Sequence, residues 1–110
     1  MDIYTAMPSN LAIVAGKPLR LECGAANASK IHWYFQNSST NAKSVLFYNG
    51  VAIIKTFAGD FSVDNSSAER RDLIAKEAKL EHAGVYECAV LISEPVQKHS
   101  AKSQVIVLGK

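Results

Sequence analysis

Apolar and polar residues alternate with a period of two along much of the chain, in short runs separated by turn residues. LRLEC (19–23) places Leu19, Leu21 and Cys23 on one face and Arg20 and Glu22 on the other. IHWYFQ (31–36) sets Ile31, Trp33 and Phe35 against His32, Tyr34 and Gln36. Further strand-like runs are LAIV (11–14), SVLFY (44–48), VAIIKT (51–56), DFSV (60–63), VYECAVL (85–91) and SQVIVL (103–108). Asn49-Gly50, between two of them, is the strongest hairpin signal in the chain. Short strands at this spacing predict an all-β sandwich or barrel.

One stretch opposes the pattern. SSAERRDLIAKEAKLEHAG (66–84) has Ser66 and Glu69 as a capping box, good helix formers after them, and Gly84 as a terminator. Propensity alone predicts a helix over 68–82. Leu73 and Ala75 also fit a strand, which a sandwich needs here to complete one sheet. Because tertiary pairing commonly overrides propensity, the strand is expected and the helix is the alternative.

At 110 residues the chain is expected to be a single domain, 1–110, with one modest core. The net charge is +2 with no block of like sign, which argues against nucleic acid as a partner. No apolar run approaches the roughly 18 residues of a membrane span, so direct membrane insertion is not expected. MDIYTAMPSN lacks the basic start and apolar stretch of a signal peptide. Met1 is therefore expected to be an added start on a fragment of a larger extracellular protein.

Cys23 and Cys88 are the only cysteines, and His32, His82 and His99 show no ligand-like spacing to them. A single disulfide closing a long loop is the simplest reading, worth about 4 kcal/mol by chain entropy. Asn27, Asn37 and Asn65 each open an N-x-[ST] sequon in a polar stretch, expected as glycosylation sites in an oxidising compartment. No catalytic arrangement, phosphate loop or calcium loop stands out, so neither an enzyme nor a cofactor is expected.

Cys23, Trp33 and the run Gly84-x-Tyr86-x-Cys88 together resemble the core marks of an immunoglobulin domain, over Leu11 to Leu108. The resemblance implies a two-sheet Greek-key sandwich. In it Cys23–Cys88 joins the sheets, Trp33 packs on the bridge, and Tyr86 bonds back to the chain at a corner. The separation of 65 between the cysteines leaves room for the extra hairpin of variable-type (V-set) domains. The strands implied are A, A′ (11–14), B (19–24), C (30–36), C′ (44–49), C″ (51–56), D (59–64), E (70–76), F (84–91) and G (102–108).

Two departures matter. Where variable domains carry a Phe-Gly-x-Gly bulge, this chain has His99-Ser100-Ala101-Lys102. The bulge should be missing, which favours a non-rearranging cell-surface receptor over an antibody-like chain. Relatives also pair an aspartate, two residues before the glycine, with an arginine at the start of strand D. Those positions hold His82 and Asp60 here, and a sign-reversed corner pair is expected.

Function is then expected on the G-F-C-C′ face, the usual recognition surface of such domains. With Trp33 and Cys88 pointing in, His32, Tyr34 and Gln36 point out on C, and Glu87, Ala89 and Leu91 on F. On C′ the outward pair is either Val45 and Phe47 or Leu46 and Tyr48. The candidate partner-binding residues are Tyr34, Gln36, Phe47, Tyr48, Ala89 and Leu91, with SEPVQKH (93–99) as a rim between F and G. The implied function is a protein-binding ectodomain of adhesion or immune recognition, at the cell surface or secreted. Its partner is another ectodomain or a second copy of itself. The alternatives are a carbohydrate-binding module, for which strand F lacks the arginine that sialic-acid-binding relatives place there, and a structural spacer.

Overall fold

The computed structural model describes residues 3–53, 59–65 and 67–109. The strands are β1 (Tyr4–Ala6), β2 (Leu11–Val14), β3 (Leu19–Leu21), β4 (Gly24–Ala25), β5 (Lys30–Asn37), β6 (Lys43–Tyr48), β7 (Val51–Ala52), β8 (Phe61–Val63), β9 (Leu73–Ala75), β10 (Gly84–Ser93) and β11 (Val96–Leu108). One sheet runs β2-β11-β10-β5-β6-β7. The other is β3-β9-β8, and β1 pairs with β4 just beyond Cys23. Period-two alternation turns one apolar face of each sheet toward the other. Leu19, Leu21 and Leu73 from one sheet share a buried core with Ile31, Trp33, Val90 and Val105 from the other. The Cys23–Cys88 disulfide joins the two, with the Cα atoms 6.5 Å apart. Trp33 stands opposite Cys88 in the β5–β10 ladder, and its Nε1–H donates to the Arg71 carbonyl at 2.8 Å.

Residues 73–75 form a strand, paired with β3 on one side and β8 on the other, and the helix over 68–82 does not form. The reason is tertiary. Leu73 and Ala75 face the core, and the buried Asp72 carboxylate accepts hydrogen bonds from the Cys23 N–H (3.0 Å), Arg20 (2.6 Å) and Arg70 (2.8 Å). A helix would withdraw that carboxylate from the β3–β4 junction. Only a 3-10 turn, η1 (Leu80–His82), survives of the helical signal. Ser66, which would begin the capping box, lies outside the described residues.

Several boundaries differ from expectation, and the strands expected over 59–64 and 70–76 shorten to Phe61–Val63 and Leu73–Ala75. The strand expected over 19–24 breaks after Leu21 and resumes at Gly24, where it changes partner to β1. The run 51–56 is described only to Ile53, with 54–58 outside the described residues. The loop expected over 93–99 is mostly strand. β10 and β11 are joined by Glu94 and a cis Pro95 alone, and their ladder runs from Gly84↔Val105 to Ser93↔Val96 without a register shift. The bulge of variable domains is thus absent from it. At Asn49-Gly50 both residues have positive φ, 49° and 89°, and the expected two-residue hairpin joins β6 to β7.

Candidate functional site

The ladder registers lay out the surface of the larger sheet in rows. Cys88 points inward with its partners Trp33 and Ala101, so the neighbouring positions on all three strands point outward. One row reads Lys102, Glu87, Tyr34 and Val45 across β11, β10, β5 and β6. The next reads Ser100, Ala89 and His32, and the third Lys98, Leu91 and Lys30.

β6 settles its phase by doing what neither reading of the alternation allowed. Its register against β5 shifts between Trp33↔Phe47 and Tyr34↔Val45, so Leu46 is an extra residue. Leu46 and Phe47 are both buried in the core, at 0% and 5% exposure, whereas Tyr48 is half exposed. Phe47 is therefore a core residue and is not available to a partner. Ala89 has the outward phase but is fully covered. Gln36 is partly exposed, and its side-chain amide donates to the Asn41 carbonyl of its own chain at 3.3 Å. Tyr34, Tyr48 and Leu91 remain as large accessible side chains of the expected set.

Lysines surround these aromatics. Lys43 Nζ lies 5.1 Å from the Tyr34 ring centroid and donates to Glu87 at 2.9 Å. Lys30 Nζ lies 5.8 Å from the centroid of Tyr48, which itself stacks on His32 at 4.1 Å. Burial pushes the Glu87 carboxyl up, but hydrogen bonds from Lys43 and Ser100 outweigh it and hold the group below the usual range. His32 is held below its ordinary value by burial first, then by the charges of Lys30 and Lys98. Its Nδ1 accepts the Asn49 N–H at 3.0 Å, which ties the face to the β6–β7 turn.

The sequence reading did not single out these lysines. Lys98 fell in a segment taken for a loop. Lys30 and Lys102 stood at strand ends whose pairing was unknown. The signal was the period-two spacing of Lys98, Ser100 and Lys102. Beyond the third row, Ser29, Lys30, Leu91, Ile92, Val96 and Lys98 line most of an open groove of about 360 Å³. A second hollow of about 470 Å³ lies against β8 and β9, but Asp60 and Lys79 on its rim are already bonded to each other.

The expected corner residues do meet. His82 is fully buried, and its Nε2 lies 3.1 Å from Asp60 Oδ2. The Lys79 N–H donates to His82 Nδ1 at 3.0 Å, so Nε2 carries the ring proton and donates to Asp60. The reversal expected between two charged groups is thus a neutral imidazole donating to a carboxylate, and the cation is Lys79, 3.1 Å from Asp60. Tyr86 Oη donates to the His82 carbonyl at 2.6 Å, placing both roles at one corner. Among the three sequons, Asn37 Oδ1 accepts the Ser39 and Thr40 N–H groups, and Asn65 Oδ1 bonds Arg71. Asn27 is exposed, with positive φ (63°) in the link between β4 and β5.

No group of three or more histidine, cysteine, aspartate or glutamate residues among the described residues could hold a metal ion. The family model of the immunoglobulin V-set domain matches residues 6–108. No curated protein matches the chain.

Proposed function

Because the chain belongs to the immunoglobulin V-set family, we propose that it is an extracellular recognition domain that binds a protein through the face of β11, β10, β5 and β6. The observation that carries this reading is the outward layer itself. Tyr34, Tyr48 and Leu91 stand on the most extensively paired sheet, among lysines and away from the disulfide core. Tyrosine offers a large contact area with little side-chain entropy to lose, and it is enriched among residues that dominate binding energy. The ladder beneath holds the layer in place, so little ordering free energy is lost on docking. A disulfide-linked core suits an extracellular or cell-surface setting, in adhesion or immune recognition.

A multimerised domain applied to intact cells tests the reading. Binding is expected to disappear when cell-surface protein is stripped by protease, and with Tyr34→Ala combined with Leu91→Ala. Ser62→Arg, exposed on the opposite sheet, should leave it unchanged. Binding that survives the face changes and is lost with Ser62→Arg overturns the assignment of the face. Loss on glycosidase treatment alone would make the domain a carbohydrate binder instead.

A further inference from the structure

Taking the recognition face above as given, we infer that its partner is a foreign protein presenting an acidic segment, with an apolar side chain seated in the groove beside Leu91. The outward strand residues of this face include four lysines, at 30, 43, 98 and 102, against Glu87 as the sole acid. That local excess is larger than the +2 of the whole chain, so the basic character of the molecule is concentrated here. Glu87 is nearly buried and already engaged by Lys43, leaving it little capacity for an outside cation. No ion pair among the described residues engages Lys30, Lys98 or Lys102.

This distribution decides between the two kinds of partner. A two-fold dimer through this face would lay the same patch on itself, lysine rows against lysine rows. Like charges brought together across an interface disfavour association, so the face is not self-complementary. An acidic surface has the opposite relation to it and is also steered toward it.

The third row adds a shape. Leu91 is flanked by Lys98 on β11 and Lys30 on β5, whose backbones lie about 10 Å apart across the three strands. The groove of about 360 Å³ that begins there is walled by Leu91, Ile92 and Val96, and Val96 is 87% exposed. Two cations flanking an apolar hollow fit two carboxylates flanking an apolar side chain.

The test titrates the isotopically labelled domain by NMR with the peptide Glu-Glu-Leu-Glu-Glu, the leucine-free peptide of five glutamates, and heparin. Sedimentation velocity is run in parallel. The leucine-containing peptide is expected to shift amides of residues 29–31, 91–93 and 96–98 and to bind more tightly than the glutamate peptide. Val96→Asp should remove that preference. Lys30→Glu with Lys98→Glu should weaken binding about tenfold or more, and added salt should weaken it progressively. A dimer abolished by Tyr34→Ala overturns the inference while leaving the recognition face standing. Peptide shifts confined to β8 and β9 overturn both. Equal or tighter binding of heparin through the same lysines, without the leucine preference, overturns the acidic-protein partner in favour of a sulfated sugar.

Discussion

His82 uses both ring nitrogens, and that explains why its partner is an acid. Nδ1 accepts the Lys79 N–H, the reach-back bond that an acidic side chain can make at the start of a helical turn. An imidazole that accepts at one nitrogen donates at the other, so the residue facing it must be an acceptor. An arginine there would meet an N–H. Asp60 meets the requirement, and the hydrogen bond from His82, followed by that from Lys79, holds its carboxyl below the usual range. The two positions are therefore chemically coupled. His82→Asp alone should cost about 2 kcal/mol or more, by bringing two carboxylates together. Adding Asp60→Arg should recover much of the loss, with a coupling of about 1–3 kcal/mol in urea denaturation of the four proteins. Additive losses would show that the residues act independently. The juxtaposition of Asp60 and His82 was readable from residue types at a resembling corner. The tautomer was not, because it depends on a main-chain N–H that only the η1 turn aims at the ring.

At the scale of elements, β10 and its neighbours form the backbone of the proposed recognition face. Gly84 begins β10 with φ 156°, and a Cβ there would run into the Gln36 carbonyl oxygen and the Phe35 ring of β5. Only glycine lets the two strands close at that end. Gly84→Ala should destabilise the domain by about 2–4 kcal/mol, read as a lower urea midpoint at unchanged slope. An unchanged midpoint would mean that β5 yields without loss. The alternation of 19–23, 31–36 and 85–91 made these strands legible, because each has one apolar face and composition reports which. The β6 bulge was not legible. An inserted residue leaves composition untouched, and Val-Leu-Phe-Tyr offers an apolar side chain in either phase. The extension of β11 back to Val96 was hidden for a related reason. Gln97 to Ser100 is polar because the hairpin tip projects into water, and polarity reads as loop.

For the whole molecule, acid should be the main chemical stress. Among the described residues, three carboxyls sit below their ordinary values. Asp60 is held there by His82 and Lys79. Asp72 and Glu87 are pushed up by burial but pulled further down by Arg70, the Cys23 N–H and Arg20 in one case, and by Lys43 and Ser100 in the other. Each contributes stability that is fully present above its unfolded value, about 3.9 for aspartate and 4.3 for glutamate. That stability is lost as pH falls through the lowered folded value. His32 has the same sign at higher pH, because its folded value is also depressed. Its contribution is present above about 6.5 and fades as pH drops through the folded value. Unfolding free energy measured from pH 8 to pH 2 should therefore fall in two limbs. His32→Gln should flatten the upper one and Asp72→Asn the lower. A curve with no upper limb in the unaltered protein would refute the assignment to His32.

β2 runs parallel to β11, Leu11–Val14 beside Val105–Leu108. When the two ends of the chain are drawn apart, these strands are dragged past each other along their own length. Their ladder bonds are then loaded together in shear, not opened one after another as in a zipper. Under such a load the pair would act as a clamp at one edge of the sheet, beyond the lysine rows. Tension applied between the two ends would be borne there, while β10, β5 and β6 keep the register of the proposed face.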